Sequence, residues 1–328
     1  MLKQGFRYFG QLSVGAAIIW YLIHINKLSL GRFLEIVPSA GNTFLIIVSA
    51  LCVFLGLILM AIRLRLFLRL QDFEIPFAAI LNLTLIGSLV GTILPGPVGG
   101  DVAKGGFLWM KVSSGRGAAI GALLVDRVVG LYSLLLLGAF GMLIMLATSK
   151  NVPMNMVFFL IPIGAILGAI FLAVGSTEFA RTRIFPGLLI ILPTRVSSFV
   201  EACLRCLAQP WDILYAIALS LMNHVLVVVS FVVAARLIGN SLPISQHFGI
   251  DPIAMTLNAI PITPGGIGVA EASFSFLFQV LGSGDGAFIG LLGRSIQYFV
   301  FIIAGVPALL SVLAKTGQKF SRETVLEE

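Results

Sequence analysis

Apolar positions along this chain come in long unbroken runs, not in the alternating or one-faced patterns of water-soluble elements. Runs of about 20 residues, the length at which a helix crosses a bilayer, lie at 8–26, 43–62, 117–147, 153–175, 211–238 and 287–313. They predict six full spans, of which 117–147 is over-long and is expected to tilt or protrude. Two further apolar regions, 77–113 and 250–281, are each broken by a cluster of Pro and Gly. The pieces on either side of each break are too short to cross and read as two re-entrant helical hairpins. Backbone that leaves the helix at membrane depth is tolerated only where protein surrounds it or it lines a wet cavity. The expected fold is an all-α polytopic membrane protein, a single transmembrane domain over residues 1–328.

The two breaks are related. The first reads Pro95-x-x-x-Gly99-Gly100 and is followed by Arg127. The second reads Pro261-x-x-x-Gly265-Gly266, with Pro264 inside it, and is followed at nearly the same spacing by Arg294. Both arginines stand inside apolar runs. Laying Pro95 on Pro261 puts both glycine pairs in register and brings the two arginines to within a single position of each other. The match predicts an internal repeat, repeat 1 over about 43–147 and repeat 2 over about 211–313.

Composition narrows the class. The chain of 328 residues is 59% hydrophobic and 11% charged, against about 25% charged for a soluble domain. Its net charge of +7 does not indicate a nucleic-acid partner, because the basic residues lie between the apolar runs. Lys3 and Arg7 precede the first run, and Arg63, Arg65 and Arg69 follow the second. Lys111 and Arg116, then Arg181, Arg183, Arg195 and Arg205, and finally Lys315, Lys319 and Arg322 form the later clusters. The intervening "GNSLPISQHFGID" and "GSGDG" carry no Lys or Arg. The positive-inside bias then places both termini and every cluster in the cytoplasm, in the cell's inner membrane, provided each hairpin enters and leaves on one side. Three full spans separate the hairpins, so they dip in from opposite faces. This inverted-topology repeat is common among secondary transporters. The run at 8–26 is longer than a signal-peptide core and is expected to be a retained span.

Within this frame a few residues carry chemistry. A helix beginning at the membrane midplane presents free N–H groups and partial positive charge, and Gly-Gly before such a start lets an anion approach. The second halves are expected to start near Gly99–Gly100 and Gly265–Gly266. Arg127 and Arg294 are the strongest signals, since a charge in hydrocarbon costs at least ~2.5 kcal/mol and marks function by default. Together they are expected to clamp a phosphate, with Lys104 within reach. Glu271 needs a cationic partner, Arg294 or Arg127. Asp126 is expected to pair with Lys104 or another helix, and Asp101 to cap the helix that follows it. Pro95, Pro261 and Pro264 turn the chain. Asn223 and His224 read as interhelical hydrogen-bonding groups or a proton relay.

Cys203 and Cys206 form a lone C-x-x-C without a second pair or a His cluster, and packing explains them better than redox or metal chemistry. The pairs Gly87/Gly91, Gly117/Gly121 and Gly286/Gly290 predict close helix packing. Segments 179–193 and 195–211 read as interfacial amphipathic stretches. The sequence contains no P-loop, H-E-x-x-H or G-x-S-x-G motif, so no nucleotide, metal or cofactor and no catalytic residue is expected.

The stretches "LPGPVGGDVAKGGFL", "DRVVGL" and "PITPGGIGVAEASF" resemble the transmembrane, flippase-like domain of lysylphosphatidylglycerol synthases, over essentially the whole chain. In bifunctional relatives this domain moves an aminoacylated phospholipid between leaflets while a soluble domain synthesises it. That soluble domain is absent from this sequence, so the resemblance implies a stand-alone lipid flippase rather than an aminoacyl transferase. The implied partners are an anionic or aminoacylated phospholipid or a polyprenyl-linked lipid, a separate lipid-synthesising enzyme, and a second copy of the chain in a homodimer. Two other readings remain open from the residues. One is a lipid-modifying enzyme using Asp101, Asp126 and Glu271; the other is a channel or small-solute transporter.

Overall fold

The structure, a computed structural model, describes residues 20–21, 23–24, 40–94, 96–112, 114–148, 162–166, 168–169, 194–260, 263 and 265–325. The expected spans at 8–26 and 153–175 are described only in those short pieces, and 179–193, Pro95, Pro261 and Pro264 lie outside the described residues.

The long apolar runs within 43–147 and 211–313 each become a long helix. They are α1 (Ala40–Arg69), α4 (Arg116–Thr148), α6 (Pro210–Leu237) and α9 (Gly286–Val325). All four are long and apolar enough to cross a membrane, α9 over Gly286–Ala314. At about 1.5 Å per residue, the 33 residues of α4 exceed the hydrocarbon thickness. Large apolar side chains stay exposed along them, including Ile47, Leu51 and Leu55 on α1 and Phe299, Ile302 and Ile303 on α9. In water this would be unstable; against acyl chains it is the expected outer surface.

Between the long helices lie two pairs of short ones, α2 (Phe77–Ile93) with α3 (Gly96–Lys111), and α7 (Ile244–Asn258) with α8 (Val269–Val280). The break after α2 has a local cause. Leu94 precedes a proline, which disfavours the helical region, and it is extended at φ −79°, ψ 158°. The next helix starts at once because Pro97 falls in its first turn, where a missing N–H costs nothing. The second helix of the first pair therefore begins at Gly96, earlier than the Gly100 expected, and that of the second pair begins at Val269, later than Gly266. One further helix, α5 (Thr194–Leu207), occupies the amphipathic segment before α6. No strand occurs among the described residues.

The order long helix, two short helices, long helix occurs twice, and the packing repeats with it. The leading helices α1 and α6 lie against each other at the centre, joined by Ser49 and Ser230 hydroxyls 2.7 Å apart. The first short helix of each pair packs on the last long helix of the other repeat, α2 on α9 and α7 on α4. Both contacts use a glycine. A Cβ on Gly305 would lie 2.8 Å from Leu89 Cβ, and one on Gly141 would lie 1.9 Å from the Phe248 carbonyl oxygen. Pro252, inside α7, has no N–H to give that carbonyl, which leaves it to lie on Gly141. The three G-x-x-x-G pairs also mark close packing: Gly87 and Gly91 face Gly100, Gly121 faces α5, and Gly286 and Gly290 face Phe274.

Candidate functional site

The two breaks meet. Gly265 donates its N–H to the carbonyl oxygen of Leu94 at 2.9 Å, so the tip of the second pair closes directly on that of the first. Gly265 and Gly266 have φ of +57° and +71°, a region that side-chain-bearing residues avoid. A Cβ on Gly265 would also fall 2.6 Å from the Thr92 carbonyl oxygen. Gly99 and Gly100 serve proximity instead: their Cβ atoms would fall 2.2 Å from Leu94 Cβ and 2.4 Å from the Gly87 carbonyl oxygen.

Arg294 lies on α9 behind the second tip and is buried. Its Nη1 donates to Glu271 Oε1 at 3.1 Å and to the Gly266 carbonyl oxygen at 2.9 Å. Nη2 faces the Gly265 carbonyl oxygen and the Tyr298 hydroxyl, and that hydroxyl donates to the same carbonyl at 2.7 Å. Glu271 Oε2 in turn accepts the Gly268 N–H at 2.6 Å. The anion site offered by the start of α8 is thus filled by the chain's own carboxylate, and Arg294 holds the tip together.

Arg127 is arranged differently. Its Nε lies 3.3 Å from Asp101 Oδ2, and Lys104 Nζ lies 3.5 Å from Asp101 Oδ1. Asp101 sits in the second turn of α3 rather than at its cap, because Pro97 lets the helix start early. The Arg127 side chain is 36% exposed while that of Lys104 is 6% exposed. Two adjoining cavities of about 290 and 190 Å³ open on this cluster and share Met60, Arg127, Asn258, Arg294, Gln297 and Phe301 as walls. The smaller is completed by Gly100, Asp101, Lys104 and Gly265. In the larger, Asn223 and His224 stand among apolar side chains such as Leu57, Leu134 and Phe274.

Asp126 finds its partner on α1, not in Lys104. Arg63 Nε and Nη2 meet its two carboxylate oxygens at 2.7 and 3.0 Å, and Nη1 donates to Ser220 Oγ at 2.6 Å. Arg63 reads in the sequence as part of a loop cluster with Arg65 and Arg69; it is buried and lines the larger cavity. The one signal for it was Asp126 itself, an intramembrane carboxylate that required a cation. His224 Nε2 donates to the Gly130 carbonyl oxygen at 2.9 Å, beside that guanidinium. His224 Nδ1, Asn258 Oδ1 and Gln297 Nε2 are buried in the cavity walls without a hydrogen-bond partner among the described residues. Buried polar atoms in this state are rare and call for a polar occupant. Among the described residues no group of three or more His, Cys, Asp or Glu could hold a metal ion.

Long lipid-facing helices around a charged interior cavity define a polytopic all-α membrane protein with a polar site at its core. The chain matches the family model described as "Lysylphosphatidylglycerol synthase TM region" over residues 8–305, and it belongs to that family. Membership ties its role to membrane lipids. No curated protein and no solved structure matches the chain significantly.

Proposed function

We propose that the protein is a lipid transporter of the flippase type, moving a phosphate-bearing lipid between the leaflets of the membrane rather than modifying it. The headgroup enters the two adjoining cavities and its phosphate engages Arg127, the partly exposed cation common to both. The acyl chains stay in lipid. The two hairpins dip from opposite faces as an inverted repeat, both termini face the cytoplasm, and the repeats rock about α1 and α6 to open either side. What carries the reading is the meeting of the two tips beside a charged cavity, at the Gly265–Leu94 hydrogen bond.

The test is transbilayer movement in proteoliposomes, read by chemical quenching of an acyl-labelled phospholipid. The native protein should accelerate quenching of the inner-leaflet pool, and folded Arg127→Ala should not. Equal rates for the two proteins would sink the assignment of Arg127. The inverted topology has its own test. Ser245→Cys and Ser283→Cys should react with an impermeant maleimide only from the non-cytoplasmic side.

A further inference from the structure

Charge in the interior is not evenly matched. The described groups on or behind the cavity walls are four cations, Arg63, Lys104, Arg127 and Arg294, and three carboxylates, Asp101, Asp126 and Glu271. Arg63 is matched by Asp126 through two hydrogen bonds, and Arg294 by Glu271. Lys104 and Arg127 share the single carboxylate of Asp101. Among the described residues one positive charge is therefore left over. The runs at 8–26 and 153–175 contain no Asp, Glu, Lys or Arg, so neither can cancel it. The surplus is also localised. Asp101 and Arg127 are 22% and 36% exposed, whereas the side chains of Arg63, Lys104, Asp126, Glu271 and Arg294 are all within a few per cent of closed.

From this, and resting on the transport reading above, we infer that the cavity is built for a headgroup of one net negative charge: a phosphodiester lipid with no cationic substituent. An uncompensated cation in hydrocarbon is costly, and a phosphodiester docked on Arg127 brings the site to neutrality through charge-assisted hydrogen bonds. A zwitterionic headgroup leaves the surplus in place. A lysylated phospholipid, whose two added ammonium groups reverse its charge, raises it. The unpartnered Asn258 Oδ1, Gln297 Nε2 and His224 Nδ1 are an independent sign that the occupant is polar beyond its phosphate. They offer two acceptors, Asn258 Oδ1 and the His224 nitrogen opposite the one that donates to Gly130, and one donor, Gln297 Nε2, which suits a hydroxylated headgroup such as glycerol.

The experiment compares three acyl-labelled lipids in proteoliposomes: phosphatidylglycerol, phosphatidylethanolamine and lysylphosphatidylglycerol. Detergent-phase binding of the same lipids is measured by native mass spectrometry. Phosphatidylglycerol should bind and move about tenfold better than the lysylated lipid, a typical penalty for like charges placed together. Arg127→Lys should keep that ratio, whereas Arg127→Gln, which neutralises the cluster and is expected to lose movement, should bring the binding ratio read by native mass spectrometry within about twofold. A preference for phosphatidylglycerol in binding without any movement upholds the charge selection and overturns transport. Movement with equal or inverted preference overturns the charge selection and leaves transport standing. A ratio unchanged in Arg127→Gln also overturns it.

Discussion

Gly265 and Leu94, which belong to different halves of the chain, are joined by a 2.9 Å hydrogen bond between the tips of two helix pairs. The bond satisfies the carbonyl of the residue that ends α2 and fixes the distance between the two halves of the site. It also explains why glycine is required, since φ is positive there and the Thr92 carbonyl oxygen occupies the space a Cβ would need. Gly265→Ala should cost more than ~1 kcal/mol and lower the melting temperature in detergent. Gly41→Ala, at a helical position with nothing within 4 Å, should leave it unchanged or raise it. Equal melting temperatures for the two variants would mean that the tips are not in contact.

Arg63 and Asp126 form the shortest ion pair among the described residues, doubly hydrogen-bonded across α1 and α4. Removing one partner leaves the other charged and buried, which costs about 3–5 kcal/mol, whereas removing both can be nearly neutral. Asp126→Leu should therefore melt far below the native protein, and Arg63→Leu/Asp126→Leu should recover most of the loss. A double variant as unstable as the single one would show that the guanidinium serves something other than Asp126.

The contrast between these features marks how far the sequence alone reaches. The ends of α4 and α6 lie within a residue of the apolar runs that predicted them, because lipid contact imposes hydrophobicity residue by residue. Glu271 was legible as a carboxylate needing a cation, narrowed to Arg294 or Arg127; the structure pairs it with Arg294. Arg63 was not. Three arginines near a helix end satisfy the positive-inside pattern equally well whether or not one of them turns inward. Nor could the sequence distinguish Arg127 from Arg294, which occupy equivalent repeat positions. The difference arises from Glu271, which caps its own helix and draws Arg294 with it, while Asp101 stands further into α3 and divides itself between two cations.

The cysteine pair offers a test outside the membrane-spanning helices. Burial pushes the Cys206 thiol from its ordinary 9.0 up to about 11, and the Gln71 side-chain donor to its sulfur only partly offsets this. The thiolate is the reactive form, so maleimide labelling of Cys206 in the folded protein should stay slow through pH 9. The sign of the linked stability follows from the same shift. In the unfolded chain the thiol ionises near its ordinary value and in the folded chain only near 11, so its linked effect is absent below about pH 9 and destabilises as pH rises above it. Fast labelling of Cys206 at neutral pH, mapped by mass spectrometry against Cys203, would contradict its packed position on the buried face of α5.

Arg127 and Arg294 should separate when each is removed. Arg294 is buried among acceptors from the second tip and from Glu271, so Arg294→Ala strands a buried carboxylate and is expected to lower the melting temperature by several degrees, transport falling with it. Adding Glu271→Gln removes the stranded charge and should restore part of the stability. Arg127 is a third exposed and shares Asp101 with Lys104, so Arg127→Ala leaves Asp101 still paired and should melt near the native protein while lipid movement is lost. Melting curves and quenching rates on the same preparations read both effects. If Arg127→Ala destabilises as much as Arg294→Ala, the first arginine is a strut like the second. The site would then have to be sought among His224, Asn258 and Gln297.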